Sequence, residues 1–360
     1  MGVSKSRGRA EARREVEVAA KDITGTAHQI SRIASVGIVG FAGVMNRREF
    51  VQGSAALATA MALQPKAQAA NAPQRAFKIA LTPGSIGVSV ASQRELNALA
   101  HRHGFEAVEP MSADIAGMAP AQLAELGADL GAKHLGWAAA GLPVDFRKDD
   151  ATYRAGLNEL PKIAAGLQRA GVRRVGTWLM PCSNELTYRA NFKQHLARLG
   201  EIARILKDHG LRFGLEYVGT QSVLVGRKYP FVHTLAETRE LIAEIGHDQV
   251  GLVLDSWHWW QAGDTVAELK ALKNAEIVSV DLNDAPKDIA KGQQKDGERE
   301  LPVATGVIDT AAFLGALVAV GYDGPMRAEP FNKIVNALDN EPACAVSVAA
   351  MRQAVSLIGG

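Results

Sequence analysis

The amino-acid sequence predicts an α/β fold, a (β/α)8 barrel preceded by an unstructured leader and a signal segment. From Phe77 onward, short apolar runs rich in β-branched residues alternate with longer amphipathic runs. Eight such units are present, and eight parallel strands that are each followed by a helix close into a barrel. The chain has 360 residues, which is enough for a barrel of about 250 residues and an additional segment.

Eight segments have the length and apolar character of buried parallel strands. A doubly wound open sheet would show the same alternation, but it usually carries a GxGxxG loop after its first strand. Residues 81–87 read LTPGSIG and do not fit that motif, which favours the barrel. The predicted strands are Lys78–Thr82, Ala107–Glu109, His134–Trp137, Arg174–Leu179, Arg212–Val218, Val250–Asp255, Ile277–Asp281 and Met326–Glu329.

Between the strands, seven segments show the apolar spacing of amphipathic helices. Gly104, Gly171 and Gly210 each follow such a segment and stand just before a strand. Glycine at this position takes the left-handed conformation that ends a helix. The predicted helices are Arg94–Arg102, Ala121–Leu130, Tyr153–Ala170, Asn191–Asp208, Leu235–Ile245, Thr265–Leu272 and Thr310–Val320.

Composition excludes several classes of protein. Hydrophobic residues make up 47% and charged residues 22%, which rules out a wholly disordered chain. Apolar runs stay below the roughly 18 residues of a membrane-spanning helix. Residues 1–69 hold 10 of the 40 Lys and Arg and 5 of the 38 Asp and Glu, so the remainder has 30 basic and 33 acidic residues, a net charge of −3. A slightly acidic body argues against a nucleic-acid partner.

The segment before the barrel has the features of an export signal. Arg47 and Arg48 precede a mildly apolar stretch, residues 53–63, and the triplet Ala67-Gln68-Ala69. This is the order of a basic region, a short hydrophobic region and a signal-peptidase site. The Arg-Arg-x-Phe form resembles a twin-arginine signal. A buried or surface N-terminal helix is the alternative.

These features predict the domain organisation. Residues 1–44 form a leader, disordered or an over-extended gene start, and residues 45–69 form a twin-arginine signal peptide. A linker follows at 70–76, and the barrel occupies 77–360. The mature protein would then be periplasmic or secreted, with the twin-arginine export machinery as a partner.

The predicted active site lies at the C-terminal ends of the barrel strands. Four carboxylates end the last four strands, and His258 follows one of them by three residues. Carboxylates gathered at one barrel mouth repel one another unless a cation binds them. Oxygen ligands favour Mn²⁺ or Mg²⁺ over Zn²⁺, and a helix cap or a rim salt bridge is the alternative for any single carboxylate. The four are Glu216, Asp255, Asp281 and Glu329.

Several motifs from Gly214 to Asn332 carry a family resemblance. They are Gly-Leu-Glu (214–216), Leu-Asp-Ser-Trp-His (254–258), Asp-Leu-Asn-Asp-Ala-Pro (281–286), Arg-Glu-Leu-Pro-x-x-x-Gly-Val-Ile-Asp (299–309) and Gly-Tyr-Asp-Gly-Pro-x-x-x-Glu-Pro (321–330). Together they resemble the sugar phosphate isomerase/epimerase family, which has a xylose isomerase-like TIM barrel. The resemblance covers the chain from about Lys78 to its C-terminus.

The resemblance implies a metal held by Glu216, Asp255, Asp281 and Glu329. The family usually has His where this chain has Asp281, so Zn²⁺ and Co²⁺ remain alternatives to Mn²⁺ and Mg²⁺. It also implies that Glu216 and Glu329 move the proton of an enediolate mechanism, and that His258 holds a substrate oxygen. A packed histidine within the neighbouring tryptophans is the alternative for His258.

A further set of residues is predicted to bind the substrate. Core packing is the alternative for the residues that end the second and third strands, and a rim ion pair or a solvated loop residue is the alternative for those after the seventh strand. Cys182 follows the fourth strand without an obvious base partner, so it is not predicted to be a nucleophile. The substrate-binding candidates are Glu109, His134, Trp137, Asp284, Lys287 and Arg299.

The sequence therefore predicts an exported, metal-dependent isomerase or epimerase of a sugar or keto-sugar, with a monomer and a homo-oligomer as alternative assemblies. A lyase or hydratase acting on a keto-sugar or inosose is one alternative, because an enediolate can also expel a leaving group. A catalytically silent sugar-binding protein is another. An apurinic-site endonuclease would share the barrel, but its multi-zinc site is rich in His, and few of the nine His here lie at strand ends.

Overall fold

The computed structural model describes residues 75–359, and these form the predicted alternation of strands and helices. Each predicted strand is present, with ends that differ by at most two residues. The strands are β1 (Lys78–Leu81), β2 (Ala107–Val108), β3 (Gly136–Trp137), β4 (Ala140–Gly141), β5 (Arg174–Trp178), β6 (Cys182–Ser183), β7 (Arg212–Glu216), β8 (Tyr229–Pro230), β9 (Val250–Asp255), β10 (Ile277–Leu282) and β11 (Pro325–Ala328).

Nine of these strands form one parallel sheet in the order β3-β2-β1-β11-β10-β9-β7-β5-β4. Both ends of this order lie in a single stretch of chain, residues 136–141. Its first part pairs with β2 and its last part pairs with β5. The sheet therefore returns to itself and closes the predicted barrel, with β3 and β4 acting as one interrupted strand. The remaining pair, β6 and β8, forms a small antiparallel ladder after β5.

The helices lie between successive strands, as the alternation predicts. All seven predicted helices are present. Five described helices were not predicted: Ser112–Gly117, Gln221–Leu224, Ser256–Ala262, Lys333–Asn336 and Asn340–Ser356. The described helices are α1 (Gln93–His103), α2 (Ser112–Gly117), α3 (Pro120–Ala132), α4 (Asp150–Arg169), α5 (Tyr188–Asp208), α6 (Gln221–Leu224), α7 (Leu235–Ile245), α8 (Ser256–Ala262), α9 (Val266–Lys270), α10 (Thr310–Ala319), α11 (Lys333–Asn336) and α12 (Asn340–Ser356).

Local sequence signals set the helix ends. Gly104, Gly171 and Gly210 have φ values of 71°, 81° and 65°, which confirms that each takes the left-handed conformation after a helix. The side chains of Ser92 and Thr187 cap the starts of α1 and α5 by accepting a backbone N–H. Among helices within residues 75–359, none has the length and apolar character needed to cross a bilayer.

The interior of the barrel is lined partly by small residues. Ala80, Ala107 and Ala138 are buried and pack together as a small cluster of their own, whereas the bulky apolar side chains form two larger cores. Small side chains at inward positions leave volume inside the barrel. That volume opens toward the C-terminal ends of the strands, where the candidate site lies.

The described chain begins at a fixed point on the barrel. Arg75 donates to both Glu106 carboxylate oxygens at 2.8 and 2.9 Å and to the Phe77 carbonyl oxygen at 2.8 Å. Arg75 and Ala76 belong to the predicted linker at 70–76. The hydrogen bonds of Arg75 nevertheless attach this end of the linker to the barrel. The predicted leader and signal peptide, with Arg47 and Arg48, lie outside the described residues. Both cysteines are buried and free.

Candidate active site

Four carboxylates meet at the C-terminal ends of β7, β9, β10 and β11. Glu216, Asp255, Asp281 and Glu329 each offer one oxygen, and these oxygens all lie within 4.8 Å of one another. All four side chains are buried. The parallel register brings Asp281 beside Asp255, which explains how residues distant in sequence converge. The structure thus brings together the four residues that the sequence predicts as metal ligands.

Two arginines penetrate this carboxylate cluster. Arg299 donates from Nη1 to Asp255 Oδ2 at 2.8 Å and to Glu329 Oε2 at 3.3 Å. Arg327 donates from Nε and Nη2 to the two oxygens of Asp281, at 2.6 and 2.8 Å, and from Nη2 to Glu329 Oε1 at 2.7 Å. Two guanidinium charges therefore compensate part of the charge of four carboxylates.

Asp255 is fixed by hydrogen bonds from several directions. Its Oδ1 caps helix α8 by accepting the backbone N–H groups of Trp257 and His258, at 2.6 and 3.2 Å. Its Oδ2 accepts the amide of Asn283 at 3.0 Å in addition to Arg299. The sequence Leu-Asp-Ser-Trp-His thus ends a strand and begins a helix at the same residue, which holds the carboxylate in one orientation.

His258 lies beside the cluster, where burial favours its neutral form. Burial lowers the pKa of His258 to about 4, with Asp255 opposing this and Arg299 adding to it. Its Nε2 lies 3.1 Å from Nη2 of Arg299 and accepts from it, so the ring proton resides on Nδ1, which faces Thr220 Oγ1 at 3.4 Å. The same Nε2 is 3.6 Å from Oε1 of Glu216.

The two glutamates have a raised affinity for a proton. Burial raises the pKa of Glu216 well above its ordinary value, and Glu329, Asp281 and Asp255 add to this effect. Burial also raises the pKa of Glu329 to about 8, although Arg327 opposes the shift. Both glutamates therefore bind a proton more tightly than an ordinary carboxyl group.

The cluster fits a divalent cation. Oε1 of Glu216 is buried and has no hydrogen-bond partner, and an unpaired buried carboxylate oxygen is costly. The arginines leave negative charge uncompensated, and the donor set consists of carboxylate oxygens close to one another. These features suggest a divalent metal held by Glu216, Asp255, Asp281 and Glu329.

A cavity of about 260 Å³ opens onto two of these carboxylates. Glu216, Glu329 and Arg327 form one wall, and Arg147 and Trp178 belong to another part of the lining. The side chain of Trp178 is exposed, and its register partner on β7 is Glu216. Sequence reasoning missed Arg147, Trp178 and Arg327. The remaining lining is mostly small: Ala80, Thr82, Ala138, Ala139, Ala140, Gly141 and Gly176, with Leu142, Thr177, Val253, Ser279 and Pro325.

Two predicted substrate-binding residues, His134 and Trp137, lie away from the carboxylate cluster. His134 precedes β3 and lines a separate pocket with Arg75 and Glu106, at the end of the barrel opposite to the carboxylates. Trp137 points away from the cavity and donates from Nε1 to the Ala170 carbonyl oxygen at 2.8 Å. The third strand passes the cavity through residues 138–142 instead.

Asp284 and Lys287, which are also predicted to bind the substrate, do not line the cavity. Both oxygens of Asp284 accept backbone N–H groups, from Ala285, Thr305, Gly306 and Ile308 at 2.7 to 3.0 Å. A carboxylate saturated in this way holds the loop and has no oxygen left for a substrate. Lys287 is exposed and is not among the residues that line the cavity.

Glu109 and Arg299 are placed near the cluster. Burial raises the pKa of the Glu109 carboxyl, and the positive charge of Arg327 opposes the shift. The sequence predicts Arg299 as a substrate-binding residue, with a rim ion pair as the alternative. It is buried and also donates to Asp296 Oδ1 at 2.8 Å, so it joins its own loop to the cluster rather than forming a rim ion pair.

The profile of the xylose isomerase-like TIM barrel family matches residues 98–354. The chain belongs to the xylose isomerase-like TIM barrel family. A family member from Alicyclobacillus acidocaldarius, a xylose isomerase domain protein, has a solved structure with a TM-score of 0.69, 29% identity, and coverage of 79% of this chain and 100% of that protein. The IOLI protein, solved with a bound zinc atom, shares the xylose isomerase-like fold with a TM-score of 0.64 at 22% identity, over 78% of this chain and 98% of that protein.

Other proteins that are similar in sequence to this chain carry the names of enzymes. The inosose isomerase of Bacillus velezensis is 25% identical over 236 residues, which are 65% of this chain and 81% of the relative. The 3-dehydroshikimate dehydratase of Pseudomonas putida is 27% identical over 259 residues, 69% of this chain but 37% of the relative. These similarities support an enzyme of the sugar isomerase/epimerase class.

Proposed function

We propose that the protein is an exported, metal-dependent isomerase or epimerase of a sugar or keto-sugar. The observation that carries this is the pair Glu216 and Glu329, two buried carboxylates with raised pKa values that face one cavity. Removal of a C–H proton next to a ketone needs a base and then an acid whose pKa values lie near the working pH. The raised pKa values of Glu216 and Glu329 shift both groups in that direction.

The chain's own residues would divide the work. One of the two glutamates removes the proton from the carbon beside the ketone, and the other returns it. A divalent metal bound by Glu216, Asp255, Asp281 and Glu329 would supply Lewis-acid stabilisation of the negative charge that develops on oxygen. Asp255, which is fixed by backbone N–H groups and by Arg299, keeps the ligand geometry constant.

His258 supports the same chemistry from a neutral state. A neutral imidazole that accepts from Arg299 cannot take a proton without losing that contact. It therefore orients Arg299 and lies close to Glu216, at 3.6 Å. Its role is to position the charged groups around a substrate oxygen rather than to act as the principal base.

A keto-sugar or inosose lyase, or a dehydratase, is the second candidate. It is favoured by the similarity to 3-dehydroshikimate dehydratases. The first step would be the same proton removal, followed by loss of a hydroxyl group from the neighbouring carbon. A sugar-binding protein without turnover is the third candidate. The presence of both Glu216 and Glu329 at one cavity argues against it.

Isotope exchange in D₂O distinguishes these candidates. The wild-type protein, loaded with Mn²⁺, Mg²⁺, Zn²⁺ or Co²⁺, would be incubated with inososes, ketoses and 3-dehydroshikimate. Carbon-bound deuterium in a product of unchanged formula supports the isomerase or epimerase, and loss of water identifies the dehydratase. Binding of these compounds without any deuterium exchange would refute the proposal that the protein is an enzyme of this kind.

Matched variants test the two glutamates. Glu216→Gln and Glu329→Gln keep the side-chain size and one oxygen ligand but cannot accept the proton, so exchange should fall by about 10²- to 10⁴-fold. Glu125→Gln is the control, because Glu125 is an exposed residue paired with Arg94. Full exchange by either active-site variant would remove that glutamate from the mechanism.

Metal content tests the ligand set independently of activity. Asp281→His replaces a carboxylate by an imidazole, which should retain metal and shift the preference toward Zn²⁺ or Co²⁺. The variant also loses the pair with Arg327, so metal stoichiometry should be measured by elemental analysis together with thermal unfolding. An unchanged metal preference would argue against direct ligation by Asp281.

Export is tested by fractionation of expressing cells. The proposal places the mature protein in the periplasm or outside the cell, with the twin-arginine machinery as its route. Arg47→Lys combined with Arg48→Lys should keep the protein in the cytoplasmic fraction. Undiminished periplasmic protein from this double variant would refute the twin-arginine route.

A further inference from the structure

Arg147 is the arginine of the cavity that no carboxylate of the cluster neutralises. It lies in the segment between β4 and α4 and lines the same cavity as Glu216 and Glu329. Its Nη1 donates to Thr177 Oγ1 at 3.1 Å and to the Trp178 carbonyl oxygen at 2.8 Å. The acid nearest to it is Asp145, 3.3 Å from Nε. Arg299 and Arg327, by contrast, are bound to carboxylates of the cluster.

The guanidinium is held in place by aromatic rings. Its central carbon lies 4.3 Å from the ring centroid of Trp178 and 4.7 Å from that of Phe146. Stacking of this kind keeps the planar fork in one orientation. Burial lowers the pKa of Arg147, and Asp145 opposes the shift only in part. An arginine that is desolvated and incompletely paired in a cavity is suited to an anionic ligand.

We propose that Arg147, with Thr177 and Trp178, forms a subsite for a carboxylate carried by the substrate. This inference rests on the proposed function and narrows its substrate class to acidic cyclic or sugar-like hydroxyketones. The carboxylate cluster repels a negative group, and Arg147 attracts it. The two charged walls therefore orient the substrate, with its ketone toward Glu216 and Glu329 and its acid group toward Arg147.

The first test changes the charge of the ligand and uses the wild-type protein. Shikimate and its methyl ester have the same ring and differ in one negative charge, and neither carries the reacting ketone. Calorimetric titration of the wild-type protein should show affinity for shikimate about 10- to 100-fold higher than for the ester, because a hydrogen bond to a charged group is worth about that factor. Equal affinities would overturn the carboxylate subsite. Because neither ligand reacts, this result is independent of any failure of the proposed activity.

Substitutions of Arg147 then test whether this residue causes the preference between the two ligands. Arg147→Met keeps the length of the side chain and should lose the preference for shikimate over its ester, while Arg147→Lys should retain about a tenth to a half of it. Arg154→Met is the matched control, since Arg154 also stacks on an aromatic ring, Tyr153, at 5.1 Å, and does not line the cavity. Thermal unfolding verifies that each variant is folded.

The possible outcomes separate the anionic subsite from a structural wall. If Arg147→Met weakens shikimate and its ester by the same factor, Arg147 shapes the cavity and the inference is wrong. If turnover of 3-dehydroshikimate by the wild-type protein is detected, its KM should rise about 10- to 100-fold in Arg147→Met, whereas the KM of an uncharged inosose should change by less than about threefold. A larger rise for the inosose would also contradict the proposal.

Discussion

The two halves of the barrel contribute differently to the cavity. The charged half, which comprises β7, β9, β10, β11 and the loops after them, supplies the four clustered carboxylates together with Arg299 and Arg327. The open half, β1 to β5 with the segment 138–148, supplies small residues such as Ala80 and Ala138 together with Arg147. One half thus carries the clustered carboxylates, and the other provides the space and an arginine outside the cluster.

The difference extends to two buried histidines. His258 in the charged half and His195 on α5 both have their pKa lowered to about 4, mainly by burial. His258 has polar partners at both ring nitrogens. His195 packs between Phe146 and Phe231, and its Nε2 has no partner. The same shift therefore reflects a polar network in one place and apolar packing in the other.

The largest effect is expected from Arg299→Met. This change leaves Asp255, Asp296 and Glu329 without the cation that they share, and an unpaired buried charge costs about 3–5 kcal/mol. We expect the free energy of unfolding in urea to fall by about that amount at pH 7. Arg204→Met, which removes an exposed pair with Asp208, is the control. A loss below about 1 kcal/mol would mean that the charged half does not depend on Arg299.

Asp284→Asn tests the assignment of Asp284 to the loop rather than to the substrate. Backbone N–H groups now donate to both carboxylate oxygens of Asp284. An Asn side chain would place its own N–H donors against some of these backbone donors. The expected loss of unfolding free energy is about 2–3 kcal/mol, with metal content unchanged. Asp288→Asn, in the same loop and exposed, should have little effect. If Asp284→Asn instead raises KM without loss of stability, the result would support the prediction that Asp284 binds the substrate.

His195→Phe sharpens the contrast between the two histidines. Because the folded pKa lies below the ordinary 6.5, the unfolded chain binds the proton more readily, so stability is full above about pH 6.5 and falls toward pH 4. The wild-type protein should lose about 2 kcal/mol between pH 7.5 and 5 through this residue. Urea unfolding at both pH values should show that loss removed in His195→Phe but kept in His101→Phe, which alters an exposed histidine. The same loss in both variants would contradict the assignment.

Lys287→Ala should have the smallest effect. Lys287 is exposed and outside the cavity lining, and surface substitutions of this kind change stability by about 0.5 kcal/mol or less. Neither KM nor kcat should change measurably in the deuterium-exchange assay. A large rise in KM would show that the charged half extends to this loop during turnover.

Much of the fold could be predicted because each strand and helix carries its own local signal. The eight strands are short apolar runs, and glycines such as Gly104 mark helix ends. The C-terminal helix Asn340–Ser356 was missed because its Ala, Ser and Val residues give weak contrast between the two faces. The helix Ser256–Ala262 was missed because it is short and begins at the end of a strand.

The site was predictable in part for a similar reason. The four clustered carboxylates end strands, so their convergence follows from the barrel geometry. Arg327 was missed although it stands two residues before Glu329 and hence on the same face of the strand; this signal was in the sequence. Arg147 follows no strand end, and its place in the cavity depends on the path of the segment after β4. Asp284 resembles a site residue until its backbone partners are known.

The interruption between β3 and β4 affects how the barrel opens. Only residues 107–108 pair with β3, and only residues 175–176 pair with β4, so each side of the interrupted strand is joined over just two residues. Local separation of a sheet begins where the fewest hydrogen bonds must break, and amide hydrogens in that region exchange with solvent first. Residues 136–141 should therefore exchange before those of β9 and β10, the amides nearest the carboxylates. We therefore expect the wall formed by residues 138–142 to open more readily than the wall that carries the carboxylates.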